Sequence, residues 1–334
     1  LYHHSFQDDH ISEPYLTMEA CYKPSFDNRW GIPCHMGERP GSTGAAHYTP
    51  GLVKDEDFQR LVMPSHCIDE EQTQQQYTKL NNAIGDVLPV DLNRGPALLT
   101  WTGDISTDLG KLRGLEQIMW DLYDEPELLH KLLAFMAKGV AKVQQEAEEA
   151  GDFSCTNSYN QSMPYAPEVL APKANTYGVK RKDLWCFFSS QEFTMVGAEM
   201  FDEFMLQYQI PLMEKFGLSA YGCCEDLTQK IKYIKKIKNL RRIAVSPFAD
   251  VKDCAEQIGS DYIISYRPNP ATFIATGIHE EYIRNELHRC FDIFASNHCH
   301  IEVEYKDIET VNHDPLAMGR LVAITKEELE RAGF

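Results

Sequence analysis

Leu218-Ser219-Ala220-Tyr221-Gly222-Cys223-Cys224-Glu225-Asp226 joins a short apolar run to two adjacent thiols and two carboxylates. Thiolate and carboxylate are ligand chemistry for a borderline-soft metal such as zinc, which makes Cys223, Cys224 and Glu225 the candidate ligands. Side chains alternate along a strand, so a strict strand pairs Cys223 with Glu225 on the face of Tyr221. If the strand ends at Cys223, the turn aims Cys224 and Glu225 together instead. Adjacent cysteines also serve as small buried hydrophobes. Glu225 argues for the site, because a buried strand end rarely keeps an unpaired carboxylate. A catalytic zinc takes three protein ligands and keeps one position open. The third must then come from another strand end, and Glu192 is the first choice.

Other apolar runs also give way abruptly to polar types. Trp101-Thr102-Gly103-Asp104, Thr156-Asn157-Ser158-Tyr159, Ser189-Ser190-Gln191-Glu192, Tyr266-Arg267 and Tyr305-Lys306-Asp307 are examples. Ends of this kind meeting at one mouth would form a polar, partly charged cavity. Glu192 can act there as a general acid if burial raises its pKa, or it can be a first-turn carboxylate of the next helix. Lys306 is the second catalytic candidate, with a plain Lys306–Asp307 ion pair as the alternative. Trp101, Asn157, Tyr159, Gln191, Tyr221 and Arg267 are candidate substrate contacts. Trp101, Tyr159, Trp185, Phe187 and Phe188 could hold a flat ring or belong to the core. His298-Cys299-His300 has ligand residue types, but it precedes the last strand and so falls at the opposite rim.

These residues need a scaffold that gathers strand ends. Strand-like runs are expected at 97–102, 153–157, 184–188, 219–223, 243–246, 262–265 and 301–305, with one more near 15–20. Helical patterns fall at 55–61, 70–84, 115–122, 125–150, 198–216, 226–238, 251–258 and 280–296. Strand–helix alternation of this length predicts an α/β chain closed as a (β/α)8 TIM barrel. An irregular N-terminal extension (1–95) would precede most of the barrel (96–334), in a single domain. A doubly wound open sheet is the alternative, but no Gly-rich phosphate loop follows a strand.

The 334 residues are 43% hydrophobic, enough for a large core, and 25% charged. With 32 basic against 50 acidic residues the net charge is -18, which disfavours nucleic acid and anionic membrane as partners. Ten cysteines without framework spacing fit reduced thiols in the cytoplasm. No apolar run reaches the roughly 20 residues of a membrane span.

Asp27-Asn28-Arg29-Trp30-Gly31-Ile32-Pro33, the later Asp55-Glu56-Asp57, and Leu122-Tyr123-Asp124-Glu125-Pro126-Glu127-Leu128-Leu129-His130 resemble segments of the uroporphyrinogen decarboxylase superfamily. Tyr221-Gly222-Cys223 falls where its corrinoid-linked methyltransferases carry a His-x-Cys zinc motif. The resemblance runs from about residue 19 to 325 and is diffuse in any one motif. It implies a (β/α)8 barrel with its site at the carboxyl ends of the strands. The departures are Tyr221 at the His position, Lys306 near the last-strand Cys, and no Arg-rich segment for a porphyrinogen. The branch it resembles most is the ether-cleaving O-demethylase type. That implies methyl transfer from a small donor, an aryl methyl ether, to the cobalt of a separate corrinoid protein, with zinc as Lewis acid. A metal-free decarboxylase or lyase using Arg267 and Lys306 is the alternative, and a non-catalytic corrinoid-protein chaperone or sensor is a third reading. A homodimer is the assembly left open, with no residue of the sequence assigned to it.

Overall fold

A computed structural model describes residues 2–24, 28–33, 35–37, 48–156 and 163–334. The described strands are β1 (Leu16–Glu19), β2 (His35–Met36), β3 (Tyr48–Thr49), β4 (Val90–Asn93), β5 (Trp185–Phe188), β6 (Leu218–Tyr221), β7 (Leu240–Val245), β8 (Ile263–Tyr266) and β9 (His300–Val303). The chain divides into two compact units. One holds 1–12, 221–235 and 240–334; the other holds 13–220 and 236–239. Among the described residues no helix is long and apolar enough to cross a membrane.

In the first unit β7, β8 and β9 pair in parallel, with Ala244 level with Ser265 and Ser265 level with Glu302. That register sorts side chains by type, because neighbours in register share a face. Ile243, Val245, Ile264 and Tyr266 point one way, where Tyr266 meets Phe291 and Phe294 edge-on. Those phenylalanines lie on the helix Glu280–Ser296 and are fully buried. Burial of each contributes about 1.5–3 kcal/mol. Arg242, Ser265, Glu302 and Glu304 point the other way, so the two glutamates at the end of β9 meet arginines. Asp250 caps the helix Val251–Ile258 by accepting from the Asp253 N–H.

In the second unit β1 and β4 pair in parallel, Leu16 to Val90 through Glu19 to Asn93. The short β2 and β3 pair antiparallel. The helix Pro126–Ala150 opens on proline and ends at Gly151 in the left-handed conformation. It buries Leu129, Leu132, Leu133, Met136, Val140 and Val143, one apolar stripe at helical spacing. The segment that resembles the superfamily sits against it: Gly139 lies under Trp30, and a Cβ there would stand 2.7 Å from Trp30 Cζ3. Trp30 Nε1 donates to Asp108 Oδ2 at 2.7 Å, and Arg29 grips the same carboxylate at 3.0 and 3.2 Å.

Strands and helices thus match the α/β class, with three departures. The expected strand 97–102 is a 3-10 turn at Thr100–Thr102, because the Thr102 hydroxyl bonds the carbonyls of Ala97 and Leu99 that a ladder would use. The expected helix 226–238 is reduced to Ile231–Ile234, since Thr228 turns its N–H and hydroxyl onto Asp226. At 153–157 only the bridge from Ser154 to Tyr177 is present among the described residues. β4 and the helices Ser106–Arg113 and Ala317–Ala332 were not expected.

Asp108→Ala leaves the buried Arg29 guanidinium without its carboxylate. Denaturant unfolding should show a loss of about 3–5 kcal/mol; a loss below about 1 kcal/mol would mean that the clamp is not structural.

Candidate functional site

β6 ends at Tyr221, and Gly222 turns the chain with φ +100. A Cβ at Gly222 would stand 2.5 Å from Leu227 Cδ1 and 3.0 Å from Ala244 Cβ, so only glycine fits this turn. Glu225, 1% exposed, folds back to accept the Cys223 N–H at 2.7 Å. Arg267, the first residue after β8, donates Nη1 to the Cys223 carbonyl at 2.5 Å. Lys306, three residues beyond β9, donates Nζ to Cys223 Sγ at 2.9 Å. Cys224 Sγ lies 3.5 Å from Cys223 Sγ and 3.5 Å from Asp307 Oδ2. The segments that follow β6, β8 and β9 therefore converge on one residue, Cys223, with Lys306 at its sulfur and Arg267 at its carbonyl.

The Cys224 thiol, which contacts Cys223, together with the charges of Lys306 and Arg267, outweighs burial and brings the Cys223 thiol down to about 7. Cys224 is pushed up by its contact with Cys223 and by burial, so the pair holds one thiolate, on Cys223. Below them lies the charged face of the sheet, its arginines buried and its glutamates half-buried. Arg267 pairs with Glu304 at 3.2 Å and Arg242 with Glu304 at 3.4 Å, while Arg242 also contacts Glu302. Ser265 bridges Arg242 at 3.1 Å and Glu304 at 3.2 Å. Burial alone would raise Glu304, but Arg267, Arg242 and Lys306 hold it below the ordinary carboxylate range. Burial brings Lys230 down to about 8 against the opposing charges of Glu225 and Asp226.

The second unit carries a carboxylate centre. Glu192, within the 3-10 turn after β5, accepts the Ser106 hydroxyl at 2.5 Å. It lines a cavity of about 770 Å³ together with Tyr48, Leu115, Trp120 and Lys111. Asp104 is fully buried; it accepts the Ser189 hydroxyl at 2.9 Å and the Thr107 N–H at 3.2 Å. Burial, and then the charge of Glu192, push its carboxyl well above the usual range. Ile105 between Asp104 and Ser106 has φ +69, a strained state for a β-branched residue.

Of the expected contacts, Arg267 and Lys306 join Cys223. Tyr221 is buried, Gln191 half-buried, and Trp101 packs against buried Phe187 with centroids 4.0 Å apart and planes tilted by 34°. Phe188 and Trp185 are buried too, and the aromatic cavity walls are Tyr48 and Trp120. Asn157 and Tyr159 lie outside the described residues. Asp104, Asp307 and Glu304 stand out in the sequence only as a strand-end residue, an ion-pair partner for Lys306 and part of a charged strand face, not as site residues. The available signals were the strand-end position of Asp104 and the Lys306-Asp307 dipeptide.

The expected zinc set does not come together. Among the described residues no group of three or more His, Cys, Asp or Glu side chains is placed to hold a metal ion. Glu225 is committed to a backbone N–H, and an ammonium stands against Cys223. Cys299 of His298-Cys299-His300 is buried and donates to the Ala255 carbonyl.

No protein-family model and no curated protein matches the chain. Among solved structures, a methyltransferase from Methanosarcina mazei resembles it with a TM-score of 0.49 at 12% identity, over 94% of this chain and 80% of that one.

Two titrations follow. Iodoacetamide labelling of Cys223, read by peptide mass spectrometry, should rise through a midpoint near pH 7, and Lys306→Met should move it upward. A wild-type midpoint above about 8.5, the ordinary thiol value, would contradict the pairing. Asp104 is protonated when folded and ionised when unfolded over the window above its ordinary pKa, so stability falls as pH rises there. Asp104→Asn should remove that slope and stabilise the protein at pH 8 relative to wild type. A steeper loss at pH 8 in the variant would show that Asp104 is ionised in the native state.

Proposed function

We propose that this protein is a cytoplasmic methyltransferase that moves a methyl group from a small donor, an aryl methyl ether, to the cobalt of a corrinoid carried by a partner protein. The fold, on this reading, is the (β/α)8 barrel of the superfamily that the sequence resembles. The observation that carries the proposal is the contact between Lys306 and Cys223 at the carboxyl ends of parallel strands. In the corrinoid-linked branch that the sequence resembles, the Cys223 position belongs to the zinc motif and Lys306 stands near its last-strand Cys.

The reduced corrinoid supplies the nucleophile that takes the methyl group. The chemical difficulty left to the protein is the leaving oxygen, which keeps the bonding electron pair and needs a positive partner. Lys306 supplies an ammonium for that oxygen. The Cys223 thiolate fixes the ammonium's position at 2.9 Å, and Arg267 fixes Cys223 through its carbonyl. Proton transfer from Lys306 then releases the phenol. The zinc of the related branch has no role in these steps.

The test is anaerobic incubation of the full chain with reduced cobalamin and 2-methoxyphenol, with release of the dihydroxybenzene followed by chromatography. Lys306→Met and Cys223→Ser should each lower the rate by about 10²-fold or more. Dialysis against a chelator should leave the wild-type rate unchanged. Release of carbon dioxide from a carboxylated analogue with no demethylation would establish the decarboxylase reading. Loss on chelation with recovery on zinc would show that a metal activates the donor.

A further inference from the structure

Cys223 and Cys224 are consecutive residues whose sulfurs stand 3.5 Å apart. Sulfurs of neighbouring residues usually diverge when the chain is extended, because side chains alternate. Here the Gly222 turn and the Arg267 bond to the Cys223 carbonyl hold the peptide so that both sulfurs face the same space. Cys223 is 2% exposed while Cys224 is half-buried. Lys306 Nζ touches Cys223 Sγ, and Asp307 Oδ2 receives Cys224 Sγ. One sulfur is thus next to a proton donor and the other next to a proton acceptor.

We propose that Cys223 and Cys224 form a peroxide-sensitive modification site that closes reversibly to a vicinal disulfide. The Cys223 sulfur attacks one oxygen of hydrogen peroxide, and the O–O bond breaks. The departing hydroxide takes a proton from Lys306 and leaves as water, with a sulfenic acid on Cys223. The Cys224 sulfur, losing its proton to Asp307, then displaces the hydroxyl from Cys223, which takes that proton from Asp307 and leaves as a second water. Two thiols are oxidised by two electrons and one peroxide is reduced to two waters. Consecutive Cα atoms are about 3.8 Å apart, less than the about 4.4–6.8 Å usual for a disulfide, so the bond is strained and readily reduced. Rapid closure also keeps Cys223 from the irreversible sulfinic stage. The consequence for turnover, loss of the thiolate that positions Lys306, rests on the methyl-transfer reading.

The experiment treats the full reduced chain with hydrogen peroxide, alkylates it with iodoacetamide and maps the peptides by mass spectrometry. In wild type the 223–224 peptide should lose the mass of two hydrogens, resist alkylation and regain both thiols with dithiothreitol. Cys224→Ser should instead accumulate a sulfenic acid on Cys223 that dimedone captures. Cys224→Ala is the second variant, with circular dichroism confirming the fold of each. Full alkylation of both cysteines after peroxide treatment, or dimedone capture in wild type with Cys224 still free, would overturn the inference. Methyl transfer is assayed separately on the reduced chain. If the disulfide forms in a chain that transfers no methyl group, the thiol inference stands and the functional reading falls.

Discussion

Burying charge is the constraint on which the site in the first unit depends. Arg242 and Arg267 are 4% and 3% exposed and lie on the same face of the sheet as Glu302 and Glu304. An arginine removed from water costs several kcal/mol unless a carboxylate meets it with good geometry. The parallel register supplies that geometry by bringing Ser265 level with Glu302 and letting Glu304 reach both guanidiniums. With Glu304 bound from two sides, the remaining arm of Arg267 is directed at the Cys223 carbonyl. The charged face therefore sets where the chain leaves β6, and through it where the thiol sits.

On that base the sulfur chemistry is a matter of neighbours. A buried thiol alone resists ionisation, as Cys254 illustrates, where burial pushes the thiol up to about 12. Cys223 is buried to a similar degree and moves the other way because Cys224, Lys306 and Arg267 surround it. An ammonium can do part of what a Lewis acid does, since both place positive charge against a developing oxyanion. It differs in carrying a proton that it can give away. The contrast with Asp104 is instructive: there a like-charged neighbour and burial act together, and the carboxyl keeps its proton.

Elements whose sequences carry their own boundaries were legible. The helices Glu70–Ile84, Val251–Ile258 and Glu280–Ser296 fall where their apolar spacing places them, and the side chains of Asp69 and Asp250 cap the first two. β5 through β8 could be read because each carries an apolar run ahead of a polar turn, and β9 because Ile301 and Val303 alternate with Glu302 and Glu304. The stretch 97–102 has the same apolar look, but the Thr102 hydroxyl competes for its carbonyls, a local effect that pattern does not reveal. Cys223, Lys306 and Arg267 could be chosen by residue type and strand-end position. That Lys306 rather than a third ligand stands at Cys223 could not, because the two are separated by 83 positions and meet only through strand register. Asp104 was hidden for a related reason: its surroundings, Ser189 and Glu192, come from a distant segment.

The central claim is that Cys223 and Lys306 work as one unit on the donor oxygen. A double-mutant cycle on kcat/KM for methyl transfer, using Cys223→Ser, Lys306→Met and the pair, measures this directly. The account predicts strong non-additivity, with the double variant no slower than the worse single variant. Rate losses that multiply, so that the two free-energy changes simply add, would contradict it.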